Sequence, residues 1–174
     1  MLQLSNSLLN KQVMSLRTGG PVATVSRPII NPNNLKIEGF YCEDRFEKRP
    51  LILLTQDIRD TLPQGYVVND YEVLAEPAEL VRLQDIMQLD FQLIGKQVVT
   101  TSKQKIGKVS DFAAETTTFY IQKLYITQSI LKSLGGGQLS VDRSQITEIT
   151  NKKIIIQEIL KGQKAPLTAT SPAA

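Results

Sequence analysis

The residues best equipped for chemistry in this chain are lysines. Lys96, Lys103, Lys105, Lys108, Lys123, Lys132, Lys152 and Lys153 all fall in the second half. Ammonium groups in such number attract the phosphates or carboxylates of a partner. They also keep a β surface soluble and its edges unpaired. Arg143 is the only arginine after residue 90, so these cations are point charges without the planar fork that grips an anion with two prongs. Carboxylate pairs occur at Glu43-Asp44 and Asp57/Asp60, and both read as solvated turns, with Asp57 helping to hold its turn. Gly135-Gly136-Gly137 lacks the Lys-Thr continuation of a phosphate loop.

The chain has no histidine and one cysteine, Cys42. Ser-His and Cys-His nucleophilic pairs are therefore excluded within it, as are thiolate zinc sites and an internal disulfide. Cys42 ends an apolar run and reads as a buried thiol. No catalytic, cofactor or metal site is expected, and the chain reads as not an enzyme. The candidate partner-binding residues are Lys103, Lys105, Lys108, Lys123, Lys152 and Lys153. Residues 1–90 carry 9 basic and 12 acidic groups, net −3, and residues 91–174 carry 11 and 5, net +6. An anionic partner therefore belongs on the second half.

The elements that position these lysines are written twice. Lys11-Gln12-Val13 returns as Lys96-Gln97-Val98. Val22–Ser26 is matched by Ile106–Ser110, Leu35–Tyr41 by Phe119–Tyr125, and Tyr66–Asp70 by Ile154–Glu158. The offset moves only from 85 (96−11) to 84 (121−37) to 88 (154−66). Each copy reads as short strands with the alternation of a half-buried sheet, as in Leu35, Ile37 and Gly39. Pro28 argues for a strand edge or bulge. Asn31-Pro32-Asn33-Asn34 is a turn, and Thr55–Arg59 is one helical turn capped by Thr55. In the second copy, Ser102–Lys105 is a lysine-rich turn and Glu115–Thr118 turns a hairpin. Ser133–Gly137 is a loop, and Ile154–Ile159 is the last strand.

The predicted organisation is all-β with short helices, in two tandem domains, 1–76 and 77–160, followed by a disordered tail, 161–174. Glu76–Leu80 opens the most helix-like segment, with Pro77 at its start and Glu79 in its first turn. Leu80–Leu83 is expected to be the first strand of the second copy, by analogy with Met1–Leu4. The cores should hold Val13, Val25, Ile37 and Phe40, then Val98, Val109, Ile121 and Leu124. No apolar run reaches the roughly 18 residues of a membrane span, and no signal peptide is seen, so a cytoplasmic protein is expected.

Gly95-Lys96-x-Val98 followed by Ile106-Gly107-x-Val109 resembles the PRC-barrel domain, as does the Met1–Ser5 start leading into Lys11-Gln12-Val13. The first copy departs from that pattern at Asn10, in place of Gly95, and at Ala23, in place of Gly107. The resemblance implies two small PRC-like β-barrels and a protein-docking module with no catalytic set. Relatives of this family include the reaction-centre H subunit and the ribosome-maturation factor RimM. A non-catalytic adaptor is the expected function, with a protein partner. The alternative is a ribosome- or RNA-associated factor that uses the basic second domain to reach a ribosomal protein or RNA.

Overall fold

The computed structural model describes residues 1–128 and 137–158. Strand β1 (Leu2–Leu4) leads into a short helix, α1 (Ser5–Leu8). The first copy then forms β2 (Gln12–Ser15), β3 (Pro21–Asn31), β4 (Lys36–Asp44), β5 (Pro50–Leu54), β6 (Asp60–Leu62) and β7 (Gly65–Val68). After helix α2 (Gln84–Leu89) come β8 (Gln97–Thr100), β9 (Lys105–Glu115), β10 (Ile121–Gln128), β11 (Gln138–Asp142), β12 (Ile146–Ile149) and β13 (Lys153–Ile156). The protein is all-β, with short helices between and beside the strands. No helix among the described residues is long and apolar enough to cross a membrane.

The repeat in the sequence is a repeat in topology. One sheet runs β5-β4-β3-β2-β7-β6 and the other β11-β10-β9-β8-β13-β12. A matching parallel pair occurs in each, with Gln12–Ser15 beside Gly65–Val68 and Gln97–Thr100 beside Lys153–Ile156, and β1 pairs with β9 outside the second of these orders. Side-chain details recur as well. Ser26 Oγ donates to the Tyr41 carbonyl at 3.0 Å, and Ser110 Oγ to the Tyr125 carbonyl at 3.1 Å. Asn10 and Gly95 both adopt left-handed backbone, with φ of 59° and 88°, and their N–H groups donate to Val25 and Val109. Asparagine thus does at position 10 what glycine does at 95, since both tolerate positive φ. All eight expected core residues are buried.

The chain divides into two compact units. The first comprises Met1–Phe91 together with Ala114–Tyr120, the tip of the β9–β10 hairpin. The second comprises Gln92–Ala113 and the chain from Ile121 onward. Within the first unit Phe119 is buried against Phe40, edge to face at 6.0 Å, and Tyr66, at 6.2 Å. Its carbonyl accepts the Ile37 N–H at 2.9 Å. Glu115 holds the tip in shape by accepting the Thr117 and Thr118 N–H groups at 2.7 and 3.1 Å. Leu35 is the counterpart of Phe119. Both are buried and both are left-handed, with φ of 51° and 60°. Left-handed backbone is disfavoured for side chains of this size, so burial of the apolar group holds it there.

Two expectations are corrected. Leu80–Leu83 is not a strand: Val81–Leu83 is a 3₁₀ turn leading into α2. The preceding turn, Pro77–Glu79, is closed by a reciprocal cap between Glu76 and Glu79, and the Gln84 side chain donates to the Pro77 carbonyl at 2.6 Å. Within the segment the Leu80 N–H donates to the Pro77 carbonyl and the Leu83 N–H to the Leu80 carbonyl, the local bonds of a turn rather than of a ladder. Thr55 does not cap its own turn: its hydroxyl lies 3.2 Å from both the Ile37 and the Glu38 carbonyls. Arg143 serves the same place in the second copy, donating to the Ile121 carbonyl at 3.2 Å. Pro28 lies on β3 past the last residue paired with β2, beside register shifts on either side. Residues 133–136, Ile159 and the predicted tail, 161–174, lie outside the described residues.

Candidate functional site

The turn that carries Lys103 and Lys105 is tied at its base. Glu158 accepts the Ser102 N–H at 2.8 Å and the Thr101 hydroxyl at 3.0 Å. Hydrogen bonds from Ser102 lead in holding the Glu158 carboxyl below its usual range. Lys103 turns back with φ 67°, and its N–H donates to the Thr100 carbonyl at 2.9 Å. The first copy closes the equivalent turn with Asp70, held low chiefly by Arg17 at 2.7 Å. One acid after the last strand thus closes each β2–β3 or β8–β9 turn.

From that turn β9 runs beside β8, and β13 lies on the other side of β8. Lys108 is opposite Gln97, and Gln97 is beside Lys153. Residues in register share a face, so Lys108, Gln97 and Lys153 form one row. Two strand spacings separate the cations, about 10 Å. Lys105 is opposite Val99, further along the same strands. Gln97, Val98, Val99, Lys105, Gly107 and Lys108, with Thr127 and Gln128, line a cavity of about 390 Å³. Gly107 makes it possible for β9 and β10 to close together there. A β-carbon at this position would lie 2.0 Å from the Thr127 carbonyl oxygen.

The structure thus gathers Lys105 and Lys108 at one cavity, with Lys103 in the adjoining turn and Lys153 two strands away. All three of Lys103, Lys105 and Lys108 are exposed. Among the described residues none of the three forms an ion pair, whereas Lys123 is matched by Asp142 at 3.5 Å. Lys152 is exposed in the β12–β13 turn, where Thr150 Oγ1 accepts its N–H at 3.3 Å. Val99, Thr127 and Gln128 were not singled out in the sequence as site residues. Gly107, an isolated glycine inside a strand, is the signal that points to their close approach. Tyr120 and Tyr125 are both half-exposed.

The same corner of the first unit is built differently. Asp44, in β4, is buried with its side chain fully shielded. The expectation of a solvated Glu43-Asp44 turn therefore fails at Asp44, although Glu43 is exposed. Asp44 accepts from Tyr71 Oη at 2.8 Å, from the Phe46 N–H at 3.0 Å and from Arg49 Nε at 3.4 Å. Burial acts to raise its carboxyl, but these donors outweigh it and hold the group below the usual carboxylate range. Arg49 also bonds Glu76 and reaches Glu47 at 3.2 Å. Asp57 is half-buried, which raises its carboxyl against the pull of Arg59. Cys42 is buried and its thiol is pushed up to about 12, leaving no thiolate at neutral pH. No protein-family model matches the chain, and no curated protein matches it.

Proposed function

We propose that this protein is a non-catalytic adaptor of two PRC-barrel-like domains, whose second unit docks an anionic partner protein at Lys105 and Lys108. One observation carries the reading. Two exposed cations without ion-pair partners among the described residues flank a cavity floored by Val98, Val99 and Gly107. Unmatched charge steers and orients a partner, and an adjoining apolar floor gives the contact something to bury. The chain lacks histidine and its one thiol is buried, which suits docking better than chemistry. Two linked modules also allow one partner to be gripped at two points.

The test is affinity purification of the full chain from its native cell, with and without nuclease, beside the Lys103→Glu, Lys105→Glu, Lys108→Glu triple variant. A partner that survives nuclease and is lost with the triple variant is the expected result. A partner lost on nuclease treatment supports the RNA-associated reading instead. Capture unchanged by the triple variant moves the interface elsewhere.

A further inference from the structure

The outer edge of the first sheet is occupied by the chain itself. Ile52 in β5 donates its N–H to the Ala75 carbonyl at 2.8 Å and accepts the Ala75 N–H at 3.0 Å. Ile52 sits opposite Tyr41 in β4. In an antiparallel ladder alternate residues turn both backbone groups toward one neighbour or the other, and Ile52 turns both outward. Leu74, beside Ala75, is buried, and Ile52 itself is fully buried.

Ser140 holds the place of Ile52 in the second sheet. It lies in β11 opposite Tyr125, as Ile52 lies opposite Tyr41. Its N–H and carbonyl therefore face outward, and among the described residues nothing pairs with them. Leu139 and Val141 on either side are buried, while Ser140 is half-exposed. The β10–β11 register has no bulge, and Leu139–Val141 holds neither proline nor lysine, the usual guards of an exposed edge. Downstream of Glu158, the sequence has Gly162 and Gln163 at the offset of Leu74 and Ala75. The aliphatic anchor of the first copy has no counterpart at that offset.

We propose that the outer edge of β11 is a docking site for an extended segment of a partner protein. The segment adds as an antiparallel strand with one residue opposite Ser140. Backbone bonds to Ser140 give it affinity, as in other strand additions. Because faces alternate, the residues flanking the paired one lie on the side of Leu139 and Val141, so one of them is aliphatic, as Leu74 is in the first copy. This surface is separate from the lysine cavity, so either site can stand without the other.

The probe is a fluorescein-labelled peptide with the sequence Asp70–Leu80, the stretch that covers β5, added to the full chain. Anisotropy is expected to show saturable binding, and hydrogen exchange to show the Ser140 amide protected only when peptide is present. Replacing the Leu74 residue of the peptide by Asp should abolish binding. Ser140→Pro removes only the outward donor, as proline does on an edge, and should weaken binding at least about tenfold. Ser140→Ala and the Lys105→Glu, Lys108→Glu double variant should bind as the parent does. The proposal is overturned if Asp70–Leu80 binds neither the full chain nor a chain ending at Glu158. It is equally overturned if the Asp-substituted peptide binds as well as the parent peptide. Protection of Ser140 without peptide that disappears in the chain ending at Glu158 would also overturn it, by making the chain's own C-terminal residues the occupant.

Discussion

The same corner of the fold is finished in opposite ways in the two copies. In the first, Asp44, Arg49, Tyr71 and Glu76 bond one another, and the following chain pairs with β5. In the second, the place of Asp44 at the end of β4 is taken by Gln128 at the end of β10, and Lys105 and Lys108 stand where the first copy has Pro21 and Thr24. One copy satisfies its charges internally, and the other turns them outward. A shared strand order therefore fixes the geometry of both corners and the use of neither.

The comparison breaks most readily at Phe119. Phe119→Ala should cost about 3–5 kcal/mol, the range for a buried aromatic. Hydrogen exchange should show amides of β4 and β7 losing protection while those of β8 and β11 keep theirs. Equal loss in both sheets would mean that the tip does not belong to the first unit alone.

Asp44→Ala should come next, at about 2–3 kcal/mol in chemical denaturation, because it strands Tyr71, Arg49 and the Phe46 N–H. Gln128→Ala should stay within about 0.5 kcal/mol. Similar costs at the two positions would erase the contrast. The pH dependence sharpens it. Asp44 is depressed in the folded state, so its contribution is complete above the unfolded value of about 3.9 and is lost as pH falls through the folded value. The acid limb of stability should therefore flatten in Asp44→Asn.

Gly107→Ala should cost about 1–3 kcal/mol through overpacking against the Thr127 carbonyl, while the first copy carries alanine at the corresponding Ala23. A melting temperature unchanged by Gly107→Ala would show that β9 can separate from β10 there. The smallest effect is expected from the Lys105→Glu, Lys108→Glu double variant, within about 0.5 kcal/mol by thermal denaturation, because both groups are exposed. A larger loss would make them structural.

The succession of strands along the chain is legible because recurring apolar positions mark the inner face of each strand, and the offset between copies carries the assignment from one half to the other; their order within each sheet is not, since spacing does not say which strands pair. The lysine turn was legible because Ser102–Lys105 interrupts two alternating runs. Leu80–Leu83 was not, since four residues with two leucines and a valine fit a strand as well as a 3₁₀ turn, and the deciding bonds come from Glu76, Glu79 and Gln84. Asp44 was misread because its partners Arg49 and Tyr71 are brought to it by the β4–β5 hairpin and the chain after β7. In a one-dimensional reading it is another acid in a polar turn. The cavity beside Lys105 depends on which residues Thr127 and Gln128 face across β9, and spacing alone carries no such information.

The placement of Phe119 has a consequence for synthesis on the ribosome. Residues 1–91 hold every strand of the first sheet, yet the ring that packs on Phe40 and Tyr66 is encoded later. At about 5–20 residues per second, translation from Phe91 to Tyr120 takes roughly 1.5–6 seconds. Throughout that interval the nascent first unit lacks the ring that covers Phe40 and Tyr66 in the finished chain.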